Sequence, residues 1–196
     1  MKSLFALALI LGSAAASAAD LSAVGTNGVE VGVNYDYLKF TGSPWLSQHT
    51  ATAELQVNLG GLGSLAVDAG DQQTVGSFRN DSTVFSVTYA NGFKLGNLGL
   101  VEAGTFTDAT GDRWFFSGKN SQVPVKTFTE TTEANYTVTS MFKPFVNFSH
   151  SDGGVNAASA GTYVYLTPKV ELTVGYTKVH SERPAQGLVS SLSYSF

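Results

Sequence analysis

The stretch Gly187-Leu188-Val189-Ser190-Ser191-Leu192-Ser193-Tyr194-Ser195-Phe196 alternates apolar and polar residues up to its last position. Leu192, Tyr194 and Phe196 fall on one parity, Ser191, Ser193 and Ser195 on the other. Side chains of a β-strand point to opposite faces in turn, so this spacing predicts a strand with one apolar and one polar face.

Working back from residue 187, the same period recurs, cut at intervals by Gly, Pro, Asn and Asp. It predicts ten strands over roughly 28–40, 49–59, 64–75, 82–90, 98–107, 130–139, 145–151, 159–167, 169–179 and 187–196. Val29, Val31, Val33, Tyr35 and Tyr37 share one face; Glu30, Gly32, Asn34 and Asp36 share the other. Ala51, Ala53, Leu55, Val57 and Leu59 oppose Thr52, Glu54, Gln56 and Asn58. Val170, Leu172, Val174 and Tyr176 oppose Glu171, Thr173, Gly175 and Thr177. Leu65/Val67/Ala69, Phe85/Val87/Tyr89, Val101/Ala103 and Ala134/Tyr136/Val138 supply further apolar faces, none of them charged. No helical period competes with this pattern.

A soluble sandwich turns such apolar faces inward, whereas a membrane barrel turns them toward lipid and its polar faces toward a lumen. Tyr residues near strand ends suit an aromatic girdle. Glu, Asn, Thr and Gly together suit a crowded polar interior. Links 60–63, 140–144 and 167–169 are tight, while 41–48, 108–129 and 180–186 are longer, as in outer-membrane barrels. The terminal strand, with Leu192 and Tyr194 leading to Phe196, resembles that of bacterial outer-membrane β-barrel proteins. The resemblance implies an outer-membrane location, contact with its lipid, and handling by the barrel-assembly machinery through Leu192, Tyr194 and Phe196. It points to no subfamily. The expected fold is all-β, a single antiparallel transmembrane barrel of ten strands. Eight remain open, because 145–151 is short and 159–167 is apolar on both parities.

The front of the chain agrees. Lys2 precedes the apolar run Leu4–Leu11, and Ala16-Ser17-Ala18 supplies a small-residue exit. This reads as a secretory signal over 1–19 and a barrel over 20–196. Its apolar core is shorter than a spanning helix needs. There is no cysteine among 196 residues, so neither disulfides nor cysteine-based metal spacing enters the reading. Loss of Lys2 with the signal leaves 10 basic and 15 acidic residues, a formal −5. That charge argues against nucleic acid and offers no basic surface for anionic lipid. No cofactor is implied.

Three groups of residues are candidates for function. Glu30, Glu54, Asp68, Glu102, Glu133 and Glu171 are expected to face the lumen, with no Lys or Arg on that face in mid-strand. Crowded carboxylates are costly to ionise. Water, protonation, or Arg113, Lys119 and Lys126 entering from 108–129 are three ways to accommodate them. The lumen is then either plugged by a polar network or a narrow cation-favouring channel. The second group, Arg113, Trp114, Phe115 and Phe116 with Trp45, offers a loop contact for an envelope or cell-surface protein.

His150 is the third. Lipid A deacylases carry a His and a Ser two positions apart near a strand end, and the segment around His150 is faintly similar. Here the second residue on is Asp152, and Ser149 and Ser151 fall on the opposite parity, so nucleophile and base do not meet. His150 with Asp152 also resembles an omptin-like protease, though Asp71 and Asp81 form no recognisable motif. No catalytic residue is assigned, and the expected role is structural or interactive.

Overall fold

The computed structural model describes residues 27–42, 45–76, 80–113, 121–122, 125–152, 154–181 and 184–196. The strands are β1 (Asn27–Phe40), β2 (Ser47–Leu59), β3 (Ser64–Val75), β4 (Asn80–Leu95), β5 (Leu98–Arg113) and β6 (Ser121–Gln122). They continue with β7 (Val125–Tyr136), β8 (Phe142–Ser151), β9 (Val155–Thr167), β10 (Val170–His180) and β11 (Ala185–Ser195). All pairings are antiparallel between chain neighbours, with two exceptions. The two-residue β6 only flanks the tip of β5, so β7 pairs with β5. β1 pairs with β11 and closes the ring.

Ten strands therefore form the wall, and the eight-strand alternative falls. Residues paired across the ladder lead from Gly28 through Asn58, Ser64, Ala90, Ala103, Thr131, Ser149, Ala157, Val179 and Ala185 to Phe40. One circuit thus returns to β1 12 residues beyond its start. That stagger tilts the strands by about 40° and leaves an interior that side chains fill.

The start of β1, the end of β11 and the tight links lie at one end of the barrel, here the turn end. At 60–63 a single 3-10 turn ends on Gly63, whose φ of 93° suits glycine. A Cβ there would strike the carbonyl of Ala90. At the opposite, loop end lie the ends of β1, β5 and β10 and the starts of β2, β7 and β11. At the β1–β11 seam, Gly187 lets the strands approach, since a Cβ would collide with the carbonyl of Tyr37.

The strands are longer than their alternation indicates. Asn91 and Gly92 interrupt the pattern, yet β4 stays paired down to Leu95↔Leu98, so the link expected over 91–97 shrinks to 96–97. The expected loop 108–129 likewise loses both flanks to β5 and β7. Pro144 lies inside β8 because β7 stops pairing at Phe145, which leaves Pro144 bonded on the β9 side alone.

The outer wall is apolar and the interior polar, the reverse of a water-soluble protein. Val31, Val33, Leu55, Leu65, Leu172 and Leu192 face outward, while Gln56, Asp68, Thr88, Thr129 and Glu133 are buried. Tyr136, Phe142, Tyr194 and Phe196 ring the turn end; Tyr35, Phe106, Phe128 and Tyr176 lie toward the loop end. Such a surface is stable only in hydrocarbon, where a closed ladder also satisfies every strand edge.

Candidate functional site

The lumen is built from side chains that successive strands turn inward. On β1–β3, Glu54 lies directly opposite Asp68, and Glu30 opposite Gln56. Asn34 holds this group together. Its Nδ2 donates to Glu54 Oε2 at 3.0 Å, to Asp68 Oδ1 at 3.0 Å and to Thr52 Oγ1 at 3.4 Å. Ser195 Oγ, across the seam, donates to Glu30 Oε2 at 3.2 Å. One neutral amide thus bridges two carboxyl groups, an arrangement in which every hydrogen-bond donor counts.

The far side of the lumen is arranged differently. Glu133 Oε1 accepts from Asn135 Nδ2 at 2.9 Å, and Oε2 from Tyr163 Oη at 2.8 Å. Phe145 packs against the Tyr163 ring with centroids 4.7 Å apart. Lys143 Nζ sits 5.5 Å over that ring, so a cation shares the space of Glu133. Glu171 accepts from Thr173 Oγ1 at 3.4 Å. Between the two groups run hydroxyl pairs: Ser86 with Thr107, Thr88 with Thr105, Thr129 with Ser151 and Ser159 with Thr177, all at 2.7–3.0 Å.

The expected luminal acids are thus placed inward with one exception. Glu102 faces outward. Paired residues share a face, so Val87 opposite Phe106 and Tyr89 opposite Gly104 put Glu102, opposite Asn91, on the outer wall. Val101 and Ala103 then turn inward and pack with Ala90. Parity alone assigns Val101/Ala103 to the lipid face, but Leu98, Leu100 and Phe106 occupy the other parity. The absence of luminal cations is corrected as well. Lys143 is buried inside, because β8 begins at Phe142 rather than at residue 145. Lys126, expected from the loop, points outward and lies 3.7 Å from Asp108.

One luminal feature lies outside the three candidate groups. Leu38, Phe40, Leu46, Val155, Val179 and Val189 form a buried apolar cluster inside the loop end. Its trace in the sequence is the run Tyr37-Leu38, where apolar residues occupy both parities of β1.

Other candidates disperse. His150 faces outward and its Nδ1 lies 2.8 Å from Asn156 Oδ1, while Ser149 and Ser151 face the lumen. Asp71 and Asp81 stand on β3 and β4, separated from β8 by β5 and β7. Trp45 is 71% exposed at the loop end. Arg113 ends β5 opposite Ser121. Trp114, Phe115, Phe116 and Lys119 lie outside the described residues, as does the predicted signal. Leu192, Tyr194 and Phe196 all face outward, with Tyr194 and Phe196 edge to face at 5.1 Å. No metal-binding group of His, Asp and Glu occurs among the described residues.

No family model and no curated protein matches the chain. Solved structures do. The translocator domain of the autotransporter NalP from Neisseria meningitidis aligns with a TM-score of 0.59 at 13% identity, covering 100% of this chain and 98% of that one. The β domain of the Bordetella autotransporter BrkA gives 0.52 at 11% identity, over 87% and 99%. An outer membrane channel from Pseudomonas putida F1 gives 0.52 at 12%, over 87% and 96%. At such identities the likeness is one of architecture. The chain shares the antiparallel β-barrel fold of these outer-membrane structures.

Proposed function

We propose that the protein is exported through its N-terminal signal, resides in the outer membrane with its loop end outward, and acts there as a closed barrel. Its role is structural or interactive, exercised at the loop rim. One observation carries this reading. The luminal side chains are shut off from solvent: Glu30, Asp68, Thr129 and Glu133 are each no more than 2% exposed. An open channel leaves its lining wet, whereas barrels of this strand number are filled by their own side chains. The apolar cluster at the loop end adds a barrier that small ions cross poorly. The orientation follows from the tight links at one end and the longer ones at the other.

Trp45 is open to a partner at the rim, and the sequence Arg113-Trp114-Phe115-Phe116, an aromatic group beside a cation, has the composition that anchors protein contacts. The cation channel is the runner-up, favoured by five inward Glu and Asp of the predicted set against one inward Lys. Planar-bilayer recording of the folded protein separates the two. A closed barrel gives no steady conductance, and Glu54→Gln leaves the trace flat. Steady conductance that falls in Glu54→Gln would overturn the closed reading. For the rim, Trp45→Ala and Trp114→Ala are expected to abolish co-purification of an envelope partner.

A further inference from the structure

Outward-facing charges at the loop end are segregated around the barrel. Asp71 on β3, Asp81 on β4 and Asp108 on β5 make one side acidic, with Lys126 beside Asp108; one further exposed acid, Asp152, follows β8, two strands from β10. On the other side, Lys39 on β1 and Lys178 on β10 face outward and are exposed. Lys39 lies opposite Gln186, and Gln186 lies opposite Lys178, so the three form one row across β1, β11 and β10. Neighbouring strands are spaced so that the lysine backbones stand about 10 Å apart. Neither lysine forms an ion pair with a described residue.

The surroundings have two layers. One step toward the turn end on the same face lie Tyr37, Leu188 and Tyr176, which begin the apolar wall. Toward the rim is His180, and level with Tyr37 on β2 lies His49, its ring tilted against that of Tyr37 with centroids 5.0 Å apart. No carboxylate faces the row from β1, β2, β9, β10 or β11 among the described residues. Two like charges held side by side repel unless an anion lies between them. An anion carrying an apolar body fits both layers: charge at the row, hydrocarbon against Tyr37 and Leu188 below.

We propose that Lys39, Gln186 and Lys178 form a site for the phosphate of an anionic lipid in the outer leaflet. The two ammonium groups converge on the phosphate, and the Gln186 amide donates between them. The inference rests on the loop end facing outward. It amends the expectation from net charge, because an acidic chain still collects two unpaired lysines on one strip of wall.

The test is lipid retention by the folded protein, read by native mass spectrometry from micelles doped with phosphatidylglycerol or phosphatidylcholine. The wild type is expected to retain phosphatidylglycerol about thirtyfold better than K39Q/K178Q, the factor that two lysines supply at an anionic surface. Phosphatidylcholine retention should be equal in both. K169Q, at the turn end, should behave as the wild type. Heat-modifiable migration checks that each variant is closed. The proposal fails if K39Q/K178Q retains phosphatidylglycerol like the wild type, or if K169Q loses as much. It also fails if inorganic phosphate at the lipid's concentration displaces the lipid. Bilayer conductance is independent of all these outcomes, so the closed-barrel reading stands or falls separately.

Discussion

The wall of β1–β3 and the wall of β4, β5 and β7 are built from the same alternation to different effect. In the first, every inward position from Glu30 to Asp36 on β1 and from Thr50 to Asn58 on β2 is Gly or polar, and the outward face is apolar through the membrane. In the second, Ala90, Val101 and Ala103 turn inward while Asn91, Glu102, Thr132 and Glu130 turn outward. Parity assigns a strand to two faces but does not say which is which. Where both faces are mixed, the ladder to the neighbouring strand decides, and here Phe85, Val87 and Tyr89 on β4 outweigh Val101 and Ala103 on β5. The first wall turns its polar groups inside on a bonded network; the second turns the carboxylates of Glu102 and Glu130 outward.

That contrast can be tested by substitution, monitored by urea unfolding of the protein in lipid vesicles. Asn34→Leu is expected to have the largest effect. It strips the shared donor from Glu54 and Asp68 and should destabilise the barrel by about 3 kcal/mol, the usual scale for leaving a buried charge unpartnered. A loss below measurement error would show that the β1–β3 network is not what holds that wall. Tyr163→Phe removes one of the donors to Glu133 and should cost about 2 kcal/mol. Combined with Lys143→Met it should cost less than the sum, because both act on the same carboxyl group. Glu102→Leu is expected to change sign, stabilising the protein by about 1 kcal/mol as a lipid-facing charge is removed. Destabilisation by Glu102→Leu would place that side chain in the lumen and erase the difference between the walls.

Much of this architecture was legible before any coordinates. The strands β1, β2 and β10 could be read from parity alone, because their apolar and polar residues do not share a face in mid-strand. β5 could not, because Leu98, Leu100 and Phe106 compete with Val101 and Ala103, and only a neighbour's register breaks the tie. Lys143 was missed for a related reason. Pro144 reads as the close of the tight link 140–144 rather than as strand interior, until the uneven ends of β7 and β8 show that no donor is needed there. Among site residues, the acids of β1–β3 were legible as a group, but Asn34 was not. An asparagine on a polar face carries no mark that it will bridge two carboxyl groups from different strands. The lysine row was hidden because its members are 139 residues apart along the chain, from Lys39 to Lys178.

The seam between β1 and β11 has a consequence in time. Ser190 Oγ donates to the carbonyl of Tyr35 at 3.1 Å across a separation of 155 residues. Contacts so distant in sequence form slowly, since the whole intervening chain must be gathered first. Until they form, β1 and β11 each present an open row of donors and acceptors that hydrocarbon cannot satisfy. The half-built wall is therefore the vulnerable species. A short peptide copying β11 should compete for β1 in that interval and should have no purchase on the finished ring.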